Sequence, residues 1–132
     1  MNNLEHFDIC TGRVFKILLE NFPLKSDILL QNIISETQKD IVELEKIYYH
    51  SILYLEELEL IKIQSKTMNP IAFLPIAFLN VSLSAKGLSI LRATPKSLQN
   101  GETLADRILK FSNKTNNEIL KHTISYIFEL IK

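Results

Sequence analysis

Tryptophan is absent from this 132-residue sequence, cysteine occurs once, glycine three times and proline four times. The single thiol, Cys10, can form neither an intrachain disulfide nor a cysteine-based zinc site, so a reducing cytoplasm is the expected compartment. Scarce glycine and proline with 46% hydrophobic residues exclude a disordered or fibrous chain. No uncharged stretch reaches the roughly 18 apolar residues of a membrane span. Met1-Asn2-Asn3-Leu4-Glu5-His6 lacks the basic start and apolar run of a signal peptide. A net charge is missing too, with 15 basic and 15 acidic residues. The balance hides a segregation: residues 40–59 carry six acids and one base, whereas 60–101 carry five bases (Lys62, Lys66, Lys86, Arg92, Lys96) and no acid.

Periodicity supplies the elements. Phe7, Cys10, Val14, Ile17 and Leu18 recur at helical spacing, and Phe22-Pro23 ends that helix. Ser26-Asp27 reads as the cap of a second, short helix burying Leu29, Leu30, Ile33 and Ile34. Asp40 with Glu43 opens a third helix of about five turns, whose inner stripe is Ile41, Leu44, Tyr48, Ile52 and Leu55. From Leu60 the period falls to two, with Ile61 and Ile63 on one strand and Leu79, Val81 and Leu83 on another. Ser84 then caps a short helix through Leu88 and Leu91. Two further capping boxes, Thr103 with Asp106 and Thr115 with Glu118, predict separate helices near 103–112 and 116–131.

The order helix, helix, long helix, basic hairpin resembles the winged-helix superfamily. Its most specific residues are Val81-Ser82-Leu83-Ser84-Ala85-Lys86-Gly87-Leu88, similar to the L-T-x-x-G junction of many bacterial winged-helix regulators, with Ser84 in place of threonine. The resemblance implies an α+β, mostly α fold: a winged-helix domain over 1–95 and a C-terminal helical extension over 96–132 in the same compact unit. Leu83 would plug the core, Ser84 would cap the next helix, and Gly87 would allow it to pack closely. It further implies that the third helix enters the major groove of duplex DNA while the wing touches phosphates. On that basis Lys46, His50, Lys62, Lys66, Lys86 and Arg92 are the candidate nucleic-acid contacts.

The third helix departs from this pattern. A base-reading helix favours Arg, Lys, Asn or Gln, and this one carries Asp40, Glu43, Glu45, Glu56, Glu57 and Glu59 against Lys46 alone. Phosphate repulsion opposes its docking on DNA. Two functions follow from the residues. One is a transcriptional regulator that meets double-stranded DNA through its basic wing. The alternative is a winged helix used as a protein–protein interaction module, docking through the acidic helix or an apolar loop. That loop holds the one internal repeat, Pro70-Ile71-Ala72-Phe73-Leu74 followed at once by Pro75-Ile76-Ala77-Phe78-Leu79. Ile71, Phe73 and Leu74 are its candidate partner-binding residues.

Catalytic signatures are missing. His6, His50 and His122 lie in different elements, without the spacing of a metal motif. His6, Asp8 and Cys10 alternate, which fits the start of a helix better than a metal site. The chain therefore reads as non-enzymatic and free of cofactors. The apolar stripe Ile119, Leu120, Thr123, Ile124, Ile127, Phe128 and Ile131 must be covered, either by the helix folding back on its own domain or by pairing with a second copy. A homodimer is the expectation, because the core through Leu91 already has enough apolar faces to close on itself.

Overall fold

A computed structural model describes residues 2–34, 41–67, 75–96, 101–111 and 117–131. The fold is α+β and mostly helical, with one small antiparallel sheet. Helix α1 (Asn3–Asn21) lies at its centre and packs against the third, fifth and sixth helices and the sheet. Asn2 caps it by accepting the Glu5 N–H at 2.9 Å. Being covered on several sides, α1 buries Ile9 and Phe15 along with Cys10, Val14 and Leu18, while Phe7 and Ile17 sit half-buried at the margin. Phe22 leaves the helix with extended ψ, as the following proline requires.

The helix expected at Ser26-Asp27 is a strand. β1 (Ser26–Leu29) alternates between core and solvent, with Ser26 and Ile28 buried, and only Leu30–Ile33 forms helix α2. The reason is tertiary: β1 pairs antiparallel with a later strand, β4 (Ala77–Leu83), which outweighs the local capping preference. The Ser26 hydroxyl consequently caps nothing and has no hydrogen-bond partner among the described residues.

Helix α3 (Ile41–Glu57) buries Leu44, Tyr48, Ile52 and Leu55 as expected, and Tyr49 in addition. Ile41 does not join them; it is 42% exposed in the first turn. Arg13 ties three helices together, its Nη1 donating to the Ile33 carbonyl at 2.7 Å and the Tyr48 hydroxyl at 3.0 Å. At the other end of α3 the chain turns through a left-handed residue, Glu59 (φ 64°). The Leu60 N–H there donates to the Leu55 carbonyl and the Glu59 N–H to that of Glu56, which is the Schellman arrangement.

Strands β2 (Ile61–Lys62) and β3 (Ser65–Lys66) both pair with β4, which gives the sheet β1 on one side and β2/β3 on the other. The expected inward set Leu79, Val81, Leu83 is shifted by a bulge. Partners run Ser26↔Val81 but Ile28↔Phe78, so β4 holds one extra residue opposite β1. Asn80 (φ 52°) takes up the turn; Phe78 points inward and Leu79 is 40% exposed.

The junction into α4 (Ala85–Leu91) matches its expectation in detail. Leu83 is buried, and Ser84 Oγ accepts the Gly87 N–H at 2.9 Å while donating to the Glu59 carbonyl at 2.5 Å. A Cβ on Gly87 would stand 2.2 Å from the Leu60 carbonyl oxygen, a separation only glycine avoids. Helix α5 (Leu104–Leu109) begins with the predicted Thr103–Asp106 capping box, both hydrogen bonds present. Thr115, Asp40 and the candidate loop residues Ile71, Phe73 and Leu74 lie outside the described residues.

Helix α6 (Asn117–Ile131) carries the apolar stripe of the last helix. It folds back on α1, α4 and α5 of its own chain, burying Leu120, Thr123, Ile124 and Ile127. Three large aliphatic groups so buried stabilise by roughly 1.5–3 kcal/mol each. Phe128 and Ile131 pack at the edge of that core, and Ile119 faces outward. The inner residues of the stripe are thus covered by the chain itself, while Ile119 and the neighbouring Leu130 stay exposed.

A candidate docking site on α1 and α3

The outward side of α3 is built by helical spacing. Glu43, Lys46, His50, Tyr54 and Glu57 are all exposed, three or four residues apart, opposite the stripe that faces the core. The first two turns of α1 lie alongside and turn this face into a groove of about 650 Å³, lined by Asn3, Leu4 and Phe7 from α1 and by Glu43 to Tyr54 from α3. Its floor is aromatic. Phe7 meets the Tyr54 ring edge-on at 5.8 Å and stacks on Phe128 at 5.6 Å, so one row of rings crosses α3, α1 and α6. Leu4, 74% exposed, stands at the groove's edge with nothing over it among the described residues.

The groove itself is lined by one acid and one base, Glu43 and Lys46, and the excess negative charge lies beyond its end. Lys46 faces Glu43 at 3.9 Å, but both side chains are well exposed and the pair is a weak one. Glu57 and Glu59 are exposed beyond Tyr54. In the adjacent hairpin Lys66 is not an open charge: its Nζ lies 2.9 Å from Glu56 Oε1, and both side chains are about two-thirds covered. The structure thus brings Lys46 and His50 together on α3, puts Lys62 and Lys66 on the hairpin, and leaves Lys86 and Arg92 exposed at the two ends of α4.

His6, Asp8 and Cys10 do not converge. His6 and Cys10 are buried, the Cys10 thiol pointing to the Tyr48 carbonyl at 3.8 Å, and Asp8 is only half-covered. Partial burial raises the Asp8 pKa above the usual carboxylate value, Lys121 opposing and Glu5 reinforcing the shift. Among the described residues no group of three or more His, Cys, Asp or Glu is placed to hold a metal ion. None of the described helices is long and apolar enough to cross a membrane.

Sequence reasoning missed Leu4, the outer edge of Phe7, and Tyr54 as a groove wall. The available signal was the excess width of the α1 stripe: Leu4 and Phe7 lie three residues apart, to one side of the set that α1 buries. No protein-family model matches the chain, and no curated protein or solved structure matches it.

Proposed function

We propose that the chain is a winged-helix module that binds another protein rather than DNA, and that it has no catalytic activity of its own. Support for the winged helix comes from the element order, helix–strand–helix–helix followed by a hairpin, and from the Leu60–Ser84–Gly87 junction that joins hairpin to α4. The observation that carries the protein-binding reading is the chemistry of α3, the helix that would read bases. Its outer face has Glu43 and Lys46 in the lining of an apolar and aromatic groove and a further carboxylate, Glu57, exposed beyond Tyr54. A phosphate backbone is repelled by such a face, and its apolar floor offers nothing to base edges. An amphipathic helix lying on α3 would use both features, with large apolar residues against Leu4, Phe7 and Tyr54 and Lys or Arg toward Glu43 and Glu57. Such a partner would be met in the cytoplasm, where Cys10 remains a thiol.

The wing-led DNA reading is weakened by Lys66, which Glu56 neutralises. It retains Lys62, Lys86 and Arg92, all exposed. Panning a random helical peptide library on the wild-type protein, with counter-selection on a Leu4→Asp/Tyr54→Glu variant, tests the proposal. Enriched peptides should combine an apolar stripe with basic residues at its ends. No enrichment over the variant would refute it.

A further inference from the structure

The duplicated pentapeptide poses a problem of register. Pro75–Leu79 leads into and forms the first half of β4, with Ile76 and Phe78 buried. Pro70–Leu74 has the same five residues, so Ile71 and Phe73 could fill those recesses equally well. The hydrophobic pattern does not forbid a slip of five residues. Phe78, Val81 and Leu83 would be replaced at their inward sites by Phe73, Ile76 and Phe78, all of them large and apolar.

The two copies differ in the residue that follows: Pro75 after the first and Asn80 after the second. Asn80 occupies the bulge at φ 52°, where its N–H donates to Asp27 Oδ1 on β1 at 2.9 Å. Its side-chain Nδ2 donates to Gln64 Oε1, between β2 and β3, at 2.9 Å. Asn80 thereby fastens β4 to the strands on both sides. Proline can do none of this: it has no N–H, its φ is fixed near −65°, and its side chain donates nothing. Asparagine is among the residues that tolerate a left-handed conformation best.

We propose that Asn80 is the selector that decides which of the two identical copies becomes β4. Ser84 reinforces the choice at the far end of the strand, since a slip would bring Leu79 to the position from which Ser84 caps α4. Hairpin closure agrees. The Thr67 N–H donates to the Ala77 carbonyl, so residues 68–76 connect the strands, and removing five of them would leave a four-residue loop of ordinary hairpin length. The selector role is independent of whether the α1–α3 groove binds protein.

Cross-strand disulfide trapping tests it. Ser65 lies directly opposite Leu79 in the present register, and both are exposed, so cysteines there do not disturb the core. In a slipped register Ser65 would face Leu74. Under oxidised glutathione, Ser65→Cys/Leu79→Cys should cross-link at least about tenfold faster than Ser65→Cys/Leu74→Cys, a tenfold rate ratio being about 1.4 kcal/mol. Adding Pro75→Asn supplies the first copy with its own selector, and the Leu74→Cys pair should then cross-link several-fold faster than before. Equal rates for the two pairs in the Pro75 background would overturn the proposal. So would a Leu74→Cys rate that Pro75→Asn leaves unchanged. Since Pro75→Asn keeps Asn80 and its hydrogen bonds available to the second copy, loss of folding does not obscure the result.

Discussion

Replacing Gly87 by alanine probes the contact on which the hairpin-to-helix junction depends. The added Cβ would sit 2.2 Å from the Leu60 carbonyl oxygen and 3.0 Å from its carbon, closer than real Cβ atoms come. Neither side is free to yield. The Leu60 carbonyl accepts the Ser84 N–H at 3.0 Å, and Ser84 Oγ bridges the Glu59 carbonyl and the Gly87 N–H. Forcing a methyl group into a packed site costs about 1–3 kcal/mol or more. Displacing α4 far enough to relieve it loses the Ser84 cap, about another 1 kcal/mol. Alanine's better helix propensity returns about 1 kcal/mol. The net loss is about 1–3 kcal/mol or more, a fall in Tm of roughly 4–12 °C for a domain of this size. Circular dichroism melting, checked by urea titration with unchanged m-value, measures it. Gly12→Ala is the control, because its Cβ would meet only the Leu120 side chain, closest at the terminal Cδ1 at 2.6 Å, and no backbone atom. Gly87→Ala within 1 kcal/mol of wild type, or no worse than Gly12→Ala, would refute the reasoning.

Other perturbations follow from the same geometry. Glu59→Gly relieves a left-handed non-glycine residue and should raise stability by about 1 kcal/mol in denaturant titration. Ser26→Ala separates strand from helix cap: a cap would lose about 1 kcal/mol, whereas the buried hydroxyl of β1, which has no partner among the described residues, predicts no loss or a slight gain. Thr103→Ala should cost about 1 kcal/mol at neutral pH by removing the α5 capping box. Thr103 also holds the Asp106 carboxyl below its usual pKa, through hydrogen bonds from its backbone N–H and from its side chain. A depressed carboxyl pKa stabilises the fold above the unfolded-state value and is lost as pH falls through the folded one. The Asp106 contribution should therefore be full at neutral pH and start to fade in melts only as pH falls below the ordinary carboxyl value of about 4. Deleting either pentapeptide copy gives the same 127-residue chain, whose Tm should stay within about 3 °C of wild type, because β4 and a four-residue loop both survive.

Much of the helical framework could be read from local signals. Cys10, Val14 and Leu18 on α1, Leu44 to Leu55 on α3, and the capping residues Ser84 and Thr103 each act through neighbours within a turn or two. Gly87 was legible through the likeness of Leu83-Ser84-Ala85-Lys86-Gly87 to an L-T-x-x-G junction, in which a small residue lets the next helix pack closely. β1 was not, because Ser26-Asp27 has the local chemistry of a cap, and only pairing with a strand some fifty residues away makes it extended. The bulge was missed for a related reason: strict alternation put Leu79 inside, and the φ of Asn80 reverses it. The α6 stripe correctly marked an apolar face, but periodicity says only that a face must be covered. Gly12 offered a hint of the covering surface, since it leaves room on α1 for Leu120. The docking groove was hardest to see. Its walls come from residues 3–7 and 43–54, and the outward residues of each look ordinary until the two helices lie side by side.

Fluorescence anisotropy of a random-sequence 30-base-pair duplex at low salt tests most directly the claim that α3 is turned toward protein. Ordinary non-specific DNA binders reach a Kd of about 10⁻⁴–10⁻⁶ M even at physiological salt. With carboxylates along α3 and Lys66 held by Glu56, the account predicts no binding in that range, and no gain from exchanging duplex sequence. Micromolar binding that weakens steeply with salt and is abolished by Lys62→Glu would contradict it, and would make the hairpin a DNA-contacting wing.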